Sequence, residues 1–498
     1  MQLQLTILLL GLYILLVSLI GIIHKHSVRG GSEEYFLASR TLSPVVLAIT
    51  FIASWWGGGS AIDLADHAFH NGINSFWIYG VPVLLATGLM FIFAKAIRNI
   101  PAISQPQMMA LRYNDAAAFM LTVFILIFMI IGTSIQVIVI GRFFESYFQL
   151  NYAFGATLGV LAVLFYSLFG GFKGVVLTDI FQFVFFLITG LVLFGWSYHQ
   201  SGGMDAVVQA AQARGDTGYT NFFHDVGDNL AYVVTFGTSW MIQANVWQRI
   251  SAARTPGDAR KMMIISFVAF IPLYLMISLT GMFASVLYEE IPVGGIIPDM
   301  VKNFSSPLLS AVLFLGLCSA IMSTMDSMIN TASLSLTVDI WQKMIHPQAK
   351  EKEQVWVGRA STFVVAALAL LVGTRVRSVL TISWVGADFI ATGVFVPLVL
   401  GFVWKQGTAR AAVVSMIFGL LFSTYNLLVA IGIDLPVVWE IASVEQAIIG
   451  IGCSFVLFVG VSLITRGDDR KAAAFIEQAG LVFGRHRRAN ARREKKDD

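Results

Sequence analysis

The chain has 498 residues, of which 57% are hydrophobic and 12% charged, with a formal net charge of +3. A soluble domain carries roughly twice that charged fraction, so the composition excludes a water-soluble enzyme and a nucleic-acid-binding protein. The two cysteines, Cys318 and Cys453, lie in apolar runs, which excludes a disulfide framework and a cysteine-ligated metal cluster; Cys318 reads as a small packing residue.

A helix needs about 20 apolar residues to cross a bilayer, and about 13 segments of this chain qualify. They run over 3–23, 44–70, 74–95, 116–146, 153–171, 174–198, 229–250, 262–288, 307–338, 356–374, 380–404, 410–432 and 443–465. The first has no Lys or Arg before it and no small-residue cleavage site after it. It reads as a retained span that starts outside, not as a signal peptide. With the N-terminus outside, all of the 32 Lys and Arg fall on the inner side except Arg142, Arg214, Lys302, Arg375 and Arg377. Positive charge in short loops favours the cytoplasmic face. The expectation is therefore an all-α, multi-pass protein of the plasma (inner) membrane, N-terminus outside and C-terminus cytoplasmic. The tail after Thr465 is short, polar and basic. It reads as a solvated segment, able to touch anionic lipid and too short for a folded output domain.

Two spans carry glycine or small-residue breaks. The second reads "AITFIASWWGGGSAIDLADHAF", with Gly57, Gly58 and Gly59 near its middle. The seventh reads "NLAYVVTFGTSWMIQANVWQRI", with Gly237, Thr238 and Ser239 near its middle. Small residues also serve close helix packing in membranes. Here, however, each broken span opens a block of five, and an odd number of spans per block inverts the second block. Interrupted segments in matching positions point to an inverted-repeat transporter with its site at the breaks. The loop 199–228 between the blocks has room for a short surface helix.

Acids deep in a membrane are functional suspects. Asp63, Asp66, Asp179, Asp326 and Asp388 lie within spans, and the sequence places no Lys or Arg at comparable depth. Asp179 has a structural alternative, a helix cap or a pairing with Lys173. Asp63, Asp66, His67 and His70 lie toward the outer end of span 2, where a wetted vestibule wall accounts for them equally well. In span 9, Ala320, Ser323, Thr324 and Ser327 recur at i, i+3, i+4 and i+7, one stripe of a helix. Oxygen ligands of that kind suit a hard cation. On spacing alone such hydroxyls more often bond back to the carbonyl one turn earlier.

Four strings resemble the sodium:solute symporter family. They are "SEEYFLASRTL" at 32–42, "GGFKGVVLTDIFQ" at 170–182, "QRISAARTPGDARK" at 248–261 and "SAIMSTMDSMINTASLSLTVDIW" at 319–341. The resemblance spans nearly the whole chain. It implies a five-plus-five inverted-repeat fold with one helix before and two after, helices 2 and 7 being broken. The chain then divides into 1–43 (first helix and cytoplasmic loop), 44–198 (first repeat), 199–228 (outer loop), 229–404 (second, inverted repeat), 405–465 (two added helices) and 466–498 (basic cytoplasmic tail). It implies import of a small organic solute coupled to Na⁺ by alternating access.

The resemblance also implies site residues. A sodium site would take the carbonyls of Ala53, Trp56 and Ala320 and the hydroxyls of Ser323 and Thr324. A second ion or a proton would use Asp179, Asp326 and Ser327, although relatives with that site commonly have serine where this chain has Asp326. The expected substrate wall combines Trp55, Gly57, Phe76, Trp77, Trp240, Gln243, Asn245 and Asp388. The surplus of acids along the route slightly favours an amine-bearing solute (an amino acid, amine or quaternary ammonium) over a sugar, monocarboxylate or vitamin. A solute sensor on the same fold and a passive channel are the competing functions. No catalytic triad or phosphate loop is present, and "GGG" in span 2 lacks the Lys and Ser/Thr of a nucleotide loop. Oligomeric state is not written in the sequence.

Overall fold

The computed structural model describes residues 2–23, 31–376, 379–430, 433 and 443–481. The basic stretch 482–498 and Arg377 lie outside the described residues. Among those described, the fold is all-helical, with one isolated bridge between Leu42 and Ala253. Among the described residues ten helices are long and apolar enough to cross a membrane, and Pro44–Trp55 and Tyr152–Leu168 are shorter apolar helices.

Leaving aside the short helices Gly31–Leu37, Gln105–Arg112, Gly203–Ala213 and Ile296–Lys302, the helices in chain order are α1 (Gln2–Ile23), α2 (Pro44–Trp55), α3 (Gly58–Asn71), α4 (Phe76–Asn99), α5 (Asp115–Phe148), α6 (Tyr152–Ser201), α7 (Val226–Met241) and α8 (Ala244–Ser251). They continue with α9 (Pro256–Leu287), α10 (Pro307–Leu334), α11 (Glu351–Arg375), α12 (Val379–Ile390), α13 (Val396–Val403), α14 (Ala409–Ala430), α15 (Ser443–Ile464) and α16 (Asp469–Ala479). Their starts follow local chemistry. Ser43, Thr255 and Ser306 cap α2, α9 and α10, each with proline just inside the helix, where its missing N–H costs nothing. Asn114 and Asn151 cap α5 and α6.

The segment expected over 44–70 is two helices. The chain leaves helical geometry at Trp56 (φ −83°, ψ 60°) and Gly57 (φ −88°, ψ 178°), then re-forms a helix at Gly58. The segment expected over 229–250 likewise ends at Met241 and restarts at Ala244. Short helices on either side of such breaks fall below the length of a continuous span, so hydropathy and length alone find fewer crossings than the sequence pattern suggested. The segments 153–171 and 174–198 run together as α6, bent at Gly171, whose φ of +53° suits a residue without a Cβ. α10 passes through π-helical turns over Ser335–Ile345, and Ala391–Phe395 forms similar turns between α12 and α13.

α10 is the central element: its residues from Leu313 to Leu334 are buried. α1 lies at the edge, exposing Leu8, Leu12 and Leu15, as lipid contact requires. Close helix approach uses glycine where a side chain has no room. A Cβ on Gly281 of α9 would sit 2.2 Å from the Ala65 carbonyl oxygen of α3. In the loop 199–228, Gly203–Ala213 is helical.

Candidate sodium and solute site

The break between α2 and α3 lies against α10. Ser323 donates its hydroxyl to the Ala53 carbonyl (2.8 Å) and also lies 3.3 Å from the Ala320 carbonyl. Thr324 donates to the Ala320 carbonyl at 3.1 Å. Ala53, Ala320, Ser323 and Thr324 are buried, as is Trp56. Gly57 is pressed against the same point: a Cβ there would come within 2.2 Å of the Thr324 hydroxyl oxygen. Two hydroxyls and two carbonyls thus converge where the chain is not helical. Thr324 makes the i−4 bond expected of a helical hydroxyl, while Ser323 reaches across to the other helix.

Below this cluster is a second polar centre. The guanidinium of Arg249, on α8, donates to Asp179 (3.2 Å), Ser327 (2.7 Å), Thr50 (3.2 Å) and the Asn245 carbonyl (3.0 Å). Thr50 also donates to Asp179, and Ser54 and Ser327 share a hydrogen bond at 2.9 Å. Arg249 and Asp179 are 1% and 0% exposed. This corrects the expectation that no base lies at the depth of the acids. A straight helical span over 229–250 would end at Arg249 and leave it at the inner margin. After the break, α8 instead runs inside the bundle, with all of its residues buried. Lys173, the alternative partner for Asp179, is exposed. Asp326 lies beside Tyr166 and takes a long 3.5 Å contact from Ser327 on one oxygen.

A cavity of about 110 Å³ opens beside the break. Trp55, Gly57, Trp240 and Gln243 line it, together with Thr324. Its wall also includes Ser54, Ser60, Asp63, Tyr79, Phe236 and Tyr274. The Trp55 indole donates to Gln243 (2.8 Å), tying one broken helix to the other. Phe236 and Trp240 stack at 4.9 Å, Tyr79 stacks on Trp240 at 5.9 Å, and Trp55 meets Trp240 at 5.9 Å.

Four expected wall residues lie elsewhere. Phe76 and Trp77 begin α4 beyond the Gly72–Ser75 turn, against the loop; Trp77 donates to the Phe222 carbonyl (2.7 Å) and Phe76 packs on Phe222. Asn245 is fully buried in α8 and does not line the cavity. Val379, Ser383, Gly386 and Ala387 form the cavity face of α12 at i, i+4, i+7 and i+8. Asp388 is one residue past that stripe, roughly 100° round the helix, and accepts from Thr392 (2.9 Å) and Asn426 (3.0 Å) instead. Sequence reasoning missed Tyr79, Phe236 and Tyr274. Phe236 stands four residues before Trp240, a spacing that puts both rings on one face.

A wider cavity, about 750 Å³, adjoins the first. Its wall holds Asp66, Arg142, Glu145, Tyr152 and Lys302, and it shares Asp63 and Val379 with the inner cavity. Asp66 accepts the Ile296 amide (2.8 Å) and Lys302 donates to the Ser146 carbonyl (3.0 Å).

The model of the sodium:solute symporter family matches residues 35–419. The chain belongs to the sodium:solute symporter family. It is a multi-pass membrane transporter and not an enzyme. Similar curated relatives include a sodium/proline symporter of Staphylococcus aureus (strain Newman), 27% identical over 95% of this chain and 94% of that one. A sodium/proline symporter of Haemophilus influenzae is 26% identical over 82% of this chain and 85% of its own length. Among solved structures, a substrate-bound, outward-open Na⁺-coupled sialic acid symporter superposes with a TM-score of 0.80 at 15% identity, covering 93% and 98% of the two chains. A nucleobase-cation-symport-1 family transporter gives 0.58 at 12% identity, covering 89% and 98%. At those identities the likeness is one of fold.

Proposed function

We propose that this symporter imports a small organic solute together with Na⁺ across the plasma membrane, with its N-terminus outside and its C-terminus in the cytoplasm. The carrying observation is the oxygen cluster of Ala53, Ala320, Ser323 and Thr324 at the α2–α3 break, within one side chain of the inner cavity. The sodium site takes these four residues and the Trp56 carbonyl. On binding, the ion replaces the hydroxyl protons between the oxygens, so Ser323 and Thr324 rotate their hydrogens outward. The wide cavity is the outer vestibule. The spans form thirteen crossings, arranged as two inverted blocks of five with one helix before and two after; the paired breaks at 56–57 and 242–243 support that reading.

Coupling uses one Na⁺ at this site. Asp179 and Ser327, two of the three residues of the second ion or proton site, already hold the Arg249 guanidinium, a fixed positive charge where a second sodium would sit. The solute is an amino acid or related amine, and proline leads on the names of the relatives. The decisive experiment is proline uptake into proteoliposomes with and without an inward Na⁺ gradient, in wild type and in the Ser323→Ala, Thr324→Val double variant. Wild-type uptake should require the gradient, and the double variant should need at least tenfold more Na⁺ for half-maximal rate. Equal Na⁺ dependence in the two proteins would refute the ion site, and gradient-independent uptake would refute symport.

A further inference from the structure

We propose that Asp63 anchors a cationic nitrogen of the transported solute, a protonated amine or quaternary ammonium, against the aromatic wall of the inner cavity. This rests on the symport reading above and names the chemistry that its cavity selects.

Most polar groups of the inner wall are already engaged. Gln243 accepts the Trp55 indole (2.8 Å), and Ser60 donates to the carbonyls of Trp55 (3.2 Å) and Gly57 (3.1 Å). The other intramembrane carboxylates also have close partners: Asp66 has the Ile296 amide, Asp179 has Arg249 and Thr50, and Asp388 has Thr392 and Asn426. Asp326 is fully buried and does not line the cavity. Asp63 differs. Its one direct hydrogen bond comes from Tyr79 at 3.5 Å, the outer limit for such a contact.

The position of Asp63 is also particular. Ser60 and Asp63 stand three residues apart on α3 and both line the inner cavity, so Asp63 lies within two turns of the break, at the junction of the two cavities. The basic residues Arg142 and Lys302 line the vestibule, from which the Arg142 charge reaches Asp63, and no Lys or Arg lines the inner cavity among the described residues. A carboxylate facing a mostly apolar cavity is costly unless a cation meets it. The rings of Trp55, Tyr79, Phe236 and Trp240 form part of that wall. Aromatic faces attract an ammonium within about 6 Å. A carboxylate and an aromatic stack in one small cavity select positive charge and reject a lone anion.

The test uses isosteric pairs that differ at the nitrogen: proline against cyclopentanecarboxylate, glycine betaine against 3,3-dimethylbutanoate, and choline against 3,3-dimethylbutanol. Thermal stabilisation of the purified full chain is measured in Na⁺ buffer, since a ligand of the folded state raises the midpoint. At least one nitrogen compound should stabilise the protein, and its carbon partner should not at a hundredfold higher concentration. In Asp63→Asn the concentration of that nitrogen compound needed for half the shift should rise at least tenfold, while the shift caused by Na⁺ alone is retained; Asp63→Glu should recover part of the affinity. The isosteric pairs test wild-type protein and so stand even where a variant fails to fold. Equal binding of both members of each pair, binding of glucose or pyruvate in preference to every nitrogen compound, or an unaltered response in a folded Asp63→Asn would overturn the assignment. Any of these results accompanied by Na⁺-driven uptake leaves symport standing, whereas loss of Na⁺ dependence for every solute strikes at symport itself.

Discussion

Arg249→Met and Asp179→Asn, made singly and together, test whether the buried pair is one electrostatic unit. Each single change leaves the other group charged at a site that is at most 1% exposed. Stranding one partner of a buried pair costs about 3–5 kcal/mol. The lost hydrogen bonds add little. Thr50 keeps its bond to Asp179 and Ser327 keeps its bond to Ser54, so only the Asn245 carbonyl loses a partner that the cluster does not replace. The double variant carries neither charge. Replacing a whole buried pair by neutral groups is often close to neutral, so its loss should be far below the sum of the singles. A double variant that loses less than either single requires a coupling larger than one single loss, above about 3 kcal/mol. Unfolding of the purified protein in mixed micelles gives the four stabilities of the cycle. Both singles should lie well below wild type, with the double variant above either of them. Additive losses, with the double variant least stable of the four, would refute the pairing.

Two further changes probe the two faces of the site. Gly57→Ala sets a Cβ 2.2 Å from the Thr324 hydroxyl oxygen; overpacking of this kind costs about 1–3 kcal/mol, so the Na⁺ concentration for half-maximal thermal stabilisation should rise about fivefold or more, and an unchanged Na⁺ response would separate Gly57 from the ion site. Asp388→Asn turns an acceptor of two hydrogen bonds into a side chain that must point one donor at Thr392 or Asn426, so stability should fall by about 1–3 kcal/mol while half-saturation by solute stays at the wild-type value; the reverse pattern would return Asp388 to the solute wall.

Thirteen apolar runs of helical length and the asymmetry of Lys and Arg are local properties, and they made the membrane class legible in the sequence. The stripe of Ala320, Ser323 and Thr324 was legible too, because residues three and four apart share a helix face whatever surrounds them. Trp55, Gly57 and Trp240 stand out in the sequence because they lie at or beside breaks that composition reveals, and Gln243 because it matches a polar position of the family pattern. What composition does not carry is the path of the chain after a break. A restarted helix takes its direction from the helices it packs on, so α8 turns inward and carries Arg249 to Asp179, 70 positions away in sequence. The rotation of α12 about its axis, which points Ser383 and Ala387 into the cavity and Asp388 at Asn426, is likewise fixed by neighbouring side chains. The amino-acid sequence therefore determined which residues bear the chemistry and how they share a helix face. The tertiary packing decided which of those faces meet, because a contact between distant segments depends on helix direction and rotation, and these are set only when the whole bundle buries its polar groups together.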